Sequence, residues 1–141
     1  MDRTTGRALA KQTLEGLALF AKVFVSEPES FGGFDPIAVV HSKSLGIVQD
    51  ARDDFTSPAE IFVTIYVKRL RDVSESEKDQ VEATLDDLAR VSLRALWSAF
   101  YGEGANVTIG PSETGYPART FDSANYRMER FAVRFDDDQE D

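Results

Sequence analysis

Cysteine is absent, and histidine and tryptophan occur once each. The first absence excludes disulfides, thiolate metal sites and a cysteine nucleophile together. The single histidine, His41, has no serine or cysteine motif to serve and reads as a structural residue at a strand end. Basic residues are also short: 16 Lys and Arg stand against 25 Asp and Glu, leaving a formal charge of −9 at pH 7. A surface of that sign does not clamp nucleic acid through its phosphates, which requires clustered Lys and Arg. Long apolar runs are missing as well. The most apolar early stretch, Gly16 to Val25, is interrupted by Lys22 and falls far short of the ~20 apolar residues of a membrane span. No segment reads as a signal peptide. The expected setting is the cytosol or a particle assembled there.

The 141 residues, 42% hydrophobic and 29% charged, fit one soluble domain, expected over 1–135. Residues 136–141 hold five acids in six and are expected to be a solvated tail. The most strand-like stretch runs from Glu60 to Lys68. Period-2 geometry sends Ile61, Val63, Ile65 and Val67 to one face and Phe62, Thr64 and Tyr66 to the other. The aliphatic face can be covered by the chain's own helices, whereas the Phe/Thr/Tyr face is expected to need a second layer or a partner chain.

Other elements flank this strand. Residues 3 to about 22 read as a helix with Ala10, Leu14, Leu17, Ala18 and Ala21 on one stripe and Asp2 or Thr4 as N-cap. Val23 to Val25 either finish it or begin a short strand. Pro28 and Gly32-Gly33 make 26–35 a loop, with no Gly-Lys-Ser/Thr following that would make it a phosphate cradle. A strand is expected from Pro36 to about Val48, then a polar connection over 49–58. Ser74-Glu75-Ser76-Glu77 is a capping box opening a long helix. Its second half, rich in Leu93, Leu96, Trp97 and Phe100, is expected to be buried on more than one side. Gly102 and Gly104 close it. Val107 to Ile109 read as a short strand, 110–121 as a loop and Asn125 to Phe135 as the last strand. Its apolar parity switches near Glu129-Arg130, which predicts a bulge or a change of environment there. The fold class is thus α+β, in the order α-β-β-α-β-β, with a mainly antiparallel sheet and two helices on one face.

No catalytic constellation emerges. Asp50, Asp53 and Asp54 do not follow the spacing of a calcium loop. Asp86 and Asp87 point to different faces of their helix. Arg127, Arg130 and Arg134 read as ion-pair formers. The expectation is a protein that is not an enzyme and has neither metal nor cofactor. The candidate contact residues are Phe62, Thr64, Tyr66 and Lys68 on the strand face, and Arg127, Arg130 and Arg134 on the last strand. Asp50, Asp53, Asp54, Glu113, Tyr116 and Arg119 are candidates in the two long loops.

In its order of elements the chain resembles the tail terminator (tail-completion) proteins of long-tailed bacteriophages. The resemblance spans residues 7–135. It rests on the first helix, the Gly/Pro loop, the Asp35-Pro36-Ile37-Ala38-Val39-Val40 strand entry and the Ile61–Val67 strand. The long helix and the Arg-rich Tyr126–Phe135 strand after Gly115-Tyr116 complete it, while the acidic tail and the 49–58 connection depart from the pattern. The resemblance implies a virion protein forming a ring, expected to be a hexamer. The ring caps the head-proximal end of the tail tube, stops polymerisation and offers a docking surface to the head connector. The implied partners are other copies of the chain, the tube protein and the connector, with DNA passing through without specific binding. Two further readings stand beside it: another phage neck or head-completion protein, and a ligand-binding or regulatory α+β module with a pocket between the second helix and the sheet. A metal-dependent enzyme is a distant third.

Overall fold

The computed structural model describes residues 1–42, 59–69, 74–110, 113–117 and 125–136. Strand β3 (Ala59–Arg69) lies at the middle of a six-stranded sheet. On one side it pairs antiparallel with β2 (Ile37–Ser42), which in turn pairs parallel with β1 (Lys22–Val25). On the other it pairs antiparallel over its whole length with β6 (Asn125–Phe135). The far side of β6 carries two short strands in succession, β4 (Val107–Ile109) and β5 (Glu113–Gly115). With α1 (Arg3–Gly16) and α2 (Glu75–Gly102) the order is α-β-β-β-α-β-β-β, an α+β fold with both helices on one face. The two strands absent from the expected order are β1 and β5.

Burial follows the alternation of β3. Ile61, Val63, Ile65 and Val67 face the helices and join Ala38, Val40, Phe131, Val133 and Phe135 in the main core. From above, α1 adds Ala10 and Leu14, and α2 adds Leu85, Leu88, Leu96 and Phe100. The contact is close: a Cβ placed on Gly6 of α1 would lie 2.3 Å from Cζ of the buried Phe135 ring. The helix start signals act locally. The Asp2 carboxylate caps α1 by accepting from the Thr5 amide at 2.7 Å, which holds its pKa below the usual carboxylate value. The Ser74 hydroxyl accepts from the Glu77 amide at 3.4 Å at the start of α2.

Three expectations need correction. The first helix stops at Gly16, not near residue 22, because Ala18 takes a left-handed backbone conformation, φ 55°, and the chain turns into β1. The second half of α2 is not buried all round: one sheet face and α1 cover a single stripe, leaving Val91, Trp97 and Tyr101 exposed. The 110–121 stretch is not wholly loop, since β5 lies within it. The parity switch in β6 is resolved as a change of environment. Its register with β3 is unbroken, with Phe131, Val133 and Phe135 facing the helices and Tyr126 and Met128 facing away into a second small core. On the opposite edge of β6 the register shifts by one residue between the two short strands, Ile109 pairing with Val133 and Glu113 with Arg130. The 49–58 connection, and the end of the expected strand beyond Ser42, lie outside the described residues.

Candidate functional site

The face of the sheet away from the helices is the one expected to need a second layer or a partner chain. Part of it is closed by the chain itself. The segment between β1 and β2 turns at Gly32 and Gly33, both at positive φ (61° and 79°), where a side chain would be strained. That turn lays Phe31 over the sheet. Its ring sits 4.9 Å from Tyr66 and 5.0 Å from Tyr126, edge-on to the latter. Phe31, Ile37, Val39, Tyr66, Tyr126 and Met128 form the second core, with Phe24 packed at its margin. The segment is fastened at its end: the Asp35 carboxylate accepts from the Lys68 amide at 2.8 Å, and the Pro36 carbonyl from the Ala21 amide at 2.8 Å.

Tyr66 is therefore 2% exposed, and Thr64 is fully buried, its hydroxyl accepting from Arg130 Nε at 2.9 Å. These two side chains do not offer a contact surface, which corrects their place among the candidate contact residues; of the two covers expected for this face, a second layer or a partner chain, the chain itself supplies the one over Tyr66. The reason is local: the connection over 26–36, with its double glycine, supplies the missing aromatic lid. Phe62 is half-buried between His41, 5.4 Å away, and the Arg130 guanidinium, 5.7 Å from its ring. Desolvation holds the His41 pKa below its usual value; Arg130 adds to this and Glu27 opposes it. Lys68 is exposed.

The three arginines of β6 do not form one stripe. Arg130 and Arg134 lie on the face away from the helices, and Arg134 pairs with Glu60 at 3.3 Å. Arg127 lies on the helix side, its guanidinium gripping the Glu82 carboxylate of α2 with two hydrogen bonds, 2.5 and 3.1 Å. The bond to Glu82 keeps the Arg127 pKa above its already high value. Among the described residues, ion pairs are thus seen for Arg127 with Glu82 and for Arg134 with Glu60. Of the loop candidates, Glu113 stands in β5 opposite Arg130 in register, and Tyr116 follows it. Asp50, Asp53, Asp54 and Arg119 lie outside the described residues.

Arg127 and Tyr116 meet in a cleft at the start of β6. The cleft, about 270 Å³, is lined by Arg69, Lys78, Val81, Glu82, Tyr116 and Arg127. The Arg127 guanidinium lies 4.7 Å from the Tyr116 ring, and Arg69 donates to the Tyr116 hydroxyl at 2.7 Å. Among the described lining residues three are cations and one is a carboxylate, on a chain whose formal charge is −9. Arg69 and Lys78 were not singled out from the sequence. The signal was the run Lys68-Arg69-Leu70-Arg71, a cation cluster closing the central strand of an acidic chain.

A second concavity, about 510 Å³, lies between α2 and β4 and is lined by Leu93, Arg94, Trp97, Ser98, Ile109 and Gly110. Trp97 in its wall stacks on Tyr101, one turn further along α2, at 4.9 Å with ring planes 10° apart, yet the two stand 46% and 64% exposed. At the other end of the sheet, Leu19, Val25 and Phe34 are exposed on or beside β1. Among the described residues, no three His, Asp or Glu side chains converge as metal donors. Among the described residues no helix is long and apolar enough to cross a membrane. Comparison with models of known protein families and with curated proteins finds no match.

Proposed function

We propose that this chain is a structural, ring-forming protein of the phage virion that caps the head-proximal end of the tail tube and receives the head connector. The observation that supports this best is the pairing of two exposed apolar patches at opposite edges of one sheet. Leu19, Val25 and Phe34 flank β1 at one edge, and the Trp97–Tyr101 stack stands beside β4 at the other. Patches at opposite ends of a subunit associate head to tail, and a constant rotation between copies closes such contacts into a ring. Exposed stacked aromatics are also the side chains that dominate protein interfaces. The acidic balance suits a ring around DNA, since several copies each carrying −9 repel the polyanion instead of gripping it.

Sedimentation velocity across a wide concentration range, followed by negative-stain microscopy, tests this reading. Rings with a central hole, formed alone or on purified tail tubes and lost in the Trp97→Ala/Tyr101→Ala double variant, are expected. Monomer at every concentration, with tubes present or absent, would overturn it. One feature favours a second reading, a small-molecule-binding module: the apolar concavity between α2 and β4 has Trp97 in its wall. Saturable quenching of Trp97 fluorescence by a metabolite, at concentrations where the protein stays monomeric, would select it.

A further inference from the structure

We infer that the cleft of Arg69, Lys78 and Arg127 receives the acidic run 136–141 of a second copy of this chain, making a directional charged contact between neighbours. The inference builds on the self-association proposed above and adds which surfaces meet.

The cleft is built to hold a carboxylate. Its floor is fixed, because Arg127 is tied to Glu82 by two hydrogen bonds and stacked against Tyr116. At its mouth are two cations with capacity to spare. Arg69 donates to the Tyr116 hydroxyl and has no carboxylate partner among the described residues. Among the described residues Lys78 is paired with Glu75 alone, 3.5 Å away and almost fully exposed. A guanidinium and an ammonium so placed bind a carboxylate through charge-assisted hydrogen bonds.

The complementary charge lies in the same chain but out of reach. Asp136 leaves the end of β6 beside β4, where its carboxylate accepts from Asn106 at 2.9 Å. The cleft lies at the beginning of β6, around Arg127 and around Arg69, which pairs in register with Asn125. Asp136 is nine residue steps along the chain from Arg127, a span of about 30 Å at ~3.3 Å per step. The five residues 137–141 cover at most about 18 Å when fully straight, and they would first have to reverse direction. The run therefore cannot enter its own subunit's cleft, whereas a neighbour's cleft carries no such restriction. Opposite ends of one strand thus hold opposite charges, which is the arrangement of a head-to-tail contact.

Two full-length variants test this. One has a neutral run (Asp137→Asn, Asp138→Asn, Glu140→Gln, Asp141→Asn) with the cleft intact. The other has a neutral cleft (Arg69→Ala, Lys78→Ala) with the run intact; both side chains are at the surface, and Arg127 is left to hold Glu82. A labelled peptide copying residues 135–141 is titrated into each, with fluorescence anisotropy as the readout. We expect salt-sensitive binding to the neutral-run protein and roughly tenfold weaker binding to the neutral-cleft protein, as two or three partly exposed ion pairs would give. In sedimentation each variant alone associates roughly tenfold more weakly than the parent chain. Their mixture forms a heterodimer, because one run and one cleft remain intact between them. Equal peptide binding to both variants, or no binding, overturns the inference even if the parent forms rings. So does undiminished assembly of the neutral-run protein, which would leave the ring reading standing. A parent chain that never self-associates removes the ring reading, and the peptide titration still decides whether the cleft takes the acidic run.

Discussion

Replacing Phe31 by Ala separates two accounts of how the Tyr66 side of the sheet is kept from water. In the structure Phe31 is fully buried and covers Tyr66, Tyr126 and Met128. Removing the ring leaves a hollow open to solvent instead of a sealed cavity. The transfer cost alone then applies, about 2–3 kcal/mol for a buried phenylalanine side chain. The lost ring contacts with Tyr66 and Tyr126 add about 1 kcal/mol. A total near 3–4 kcal/mol is a large share of the ~5–15 kcal/mol that holds a domain together, so the variant folds but is visibly weakened. For a chain of this length it corresponds to a fall in melting temperature of about 12 °C. Urea titration followed by circular dichroism gives the loss directly, and dye binding reports the uncovered tyrosines. The measurement is repeated over a roughly hundredfold range of protein concentration, because cover supplied by a partner would make the penalty concentration-dependent. A loss below about 1 kcal/mol, or one that shrinks as concentration rises, would refute the assignment of Phe31 as the lid.

Three further outcomes are expected. Gly6→Ala forces a methyl into the Phe135 ring, which is locked in the core, and should destabilise by about 1–3 kcal/mol despite the better helix propensity of alanine; a neutral result in chemical unfolding would show that α1 can lift from the sheet. Ser92→Ala removes a buried hydroxyl with no hydrogen-bond partner among the described residues and should leave stability unchanged or raise it by about 1 kcal/mol. His41 has a depressed pKa, so the unfolded chain binds its proton first as pH falls below 6.5. Stability contributed by neutral His41 is full above that value and declines below it until the folded pKa is passed. His41→Gln should flatten the pH dependence of unfolding in that window, and an unchanged slope would assign it to other groups.

Much of this architecture is legible in the residues because local signals agree with the tertiary environment. The β3 alternation, the two N-caps, Gly104 after α2 and the bounds of β6 all fall where pattern and chemistry place them. What escapes is set by contacts distant in sequence. β1 is four residues whose strand identity comes from pairing with β2, and β5 is three residues paired with β6. Neither carries enough periodicity to stand apart from its flanks. Phe31 is the clearest case. A phenylalanine beside two glycines in a loop looks like a surface residue until the turn that the glycines permit carries it onto Tyr66. Trp97 misleads in the other direction, since an apolar residue in an apolar half-helix suggests burial, and only the count of available neighbours shows that α2 has one covered side. The candidate site follows the same division. Arg127 and Tyr116 are visible as unusual residues, but their meeting with Arg69 and Lys78 depends on the β3–β6 register and on the angle of α2.

The edges of the sheet bear on what kind of assembly this chain can make. β1 has four residues and begins with Lys22, whose ammonium lies over Phe24 and Phe34, while β4 and β5 have three each and are offset by a one-residue slip. Short, charged and broken edges are how β proteins prevent strand-to-strand aggregation. A continuous sheet running from copy to copy is thereby disfavoured, and contact between copies falls to side chains: the apolar groups around β1, the Trp97–Tyr101 stack beside β4, and the charged cleft. Such contacts are individually weak and specific in direction. In the ring proposed above, such contacts would hold neighbours together only where several form at once, as on a tube end that presents its subunits already in a circle.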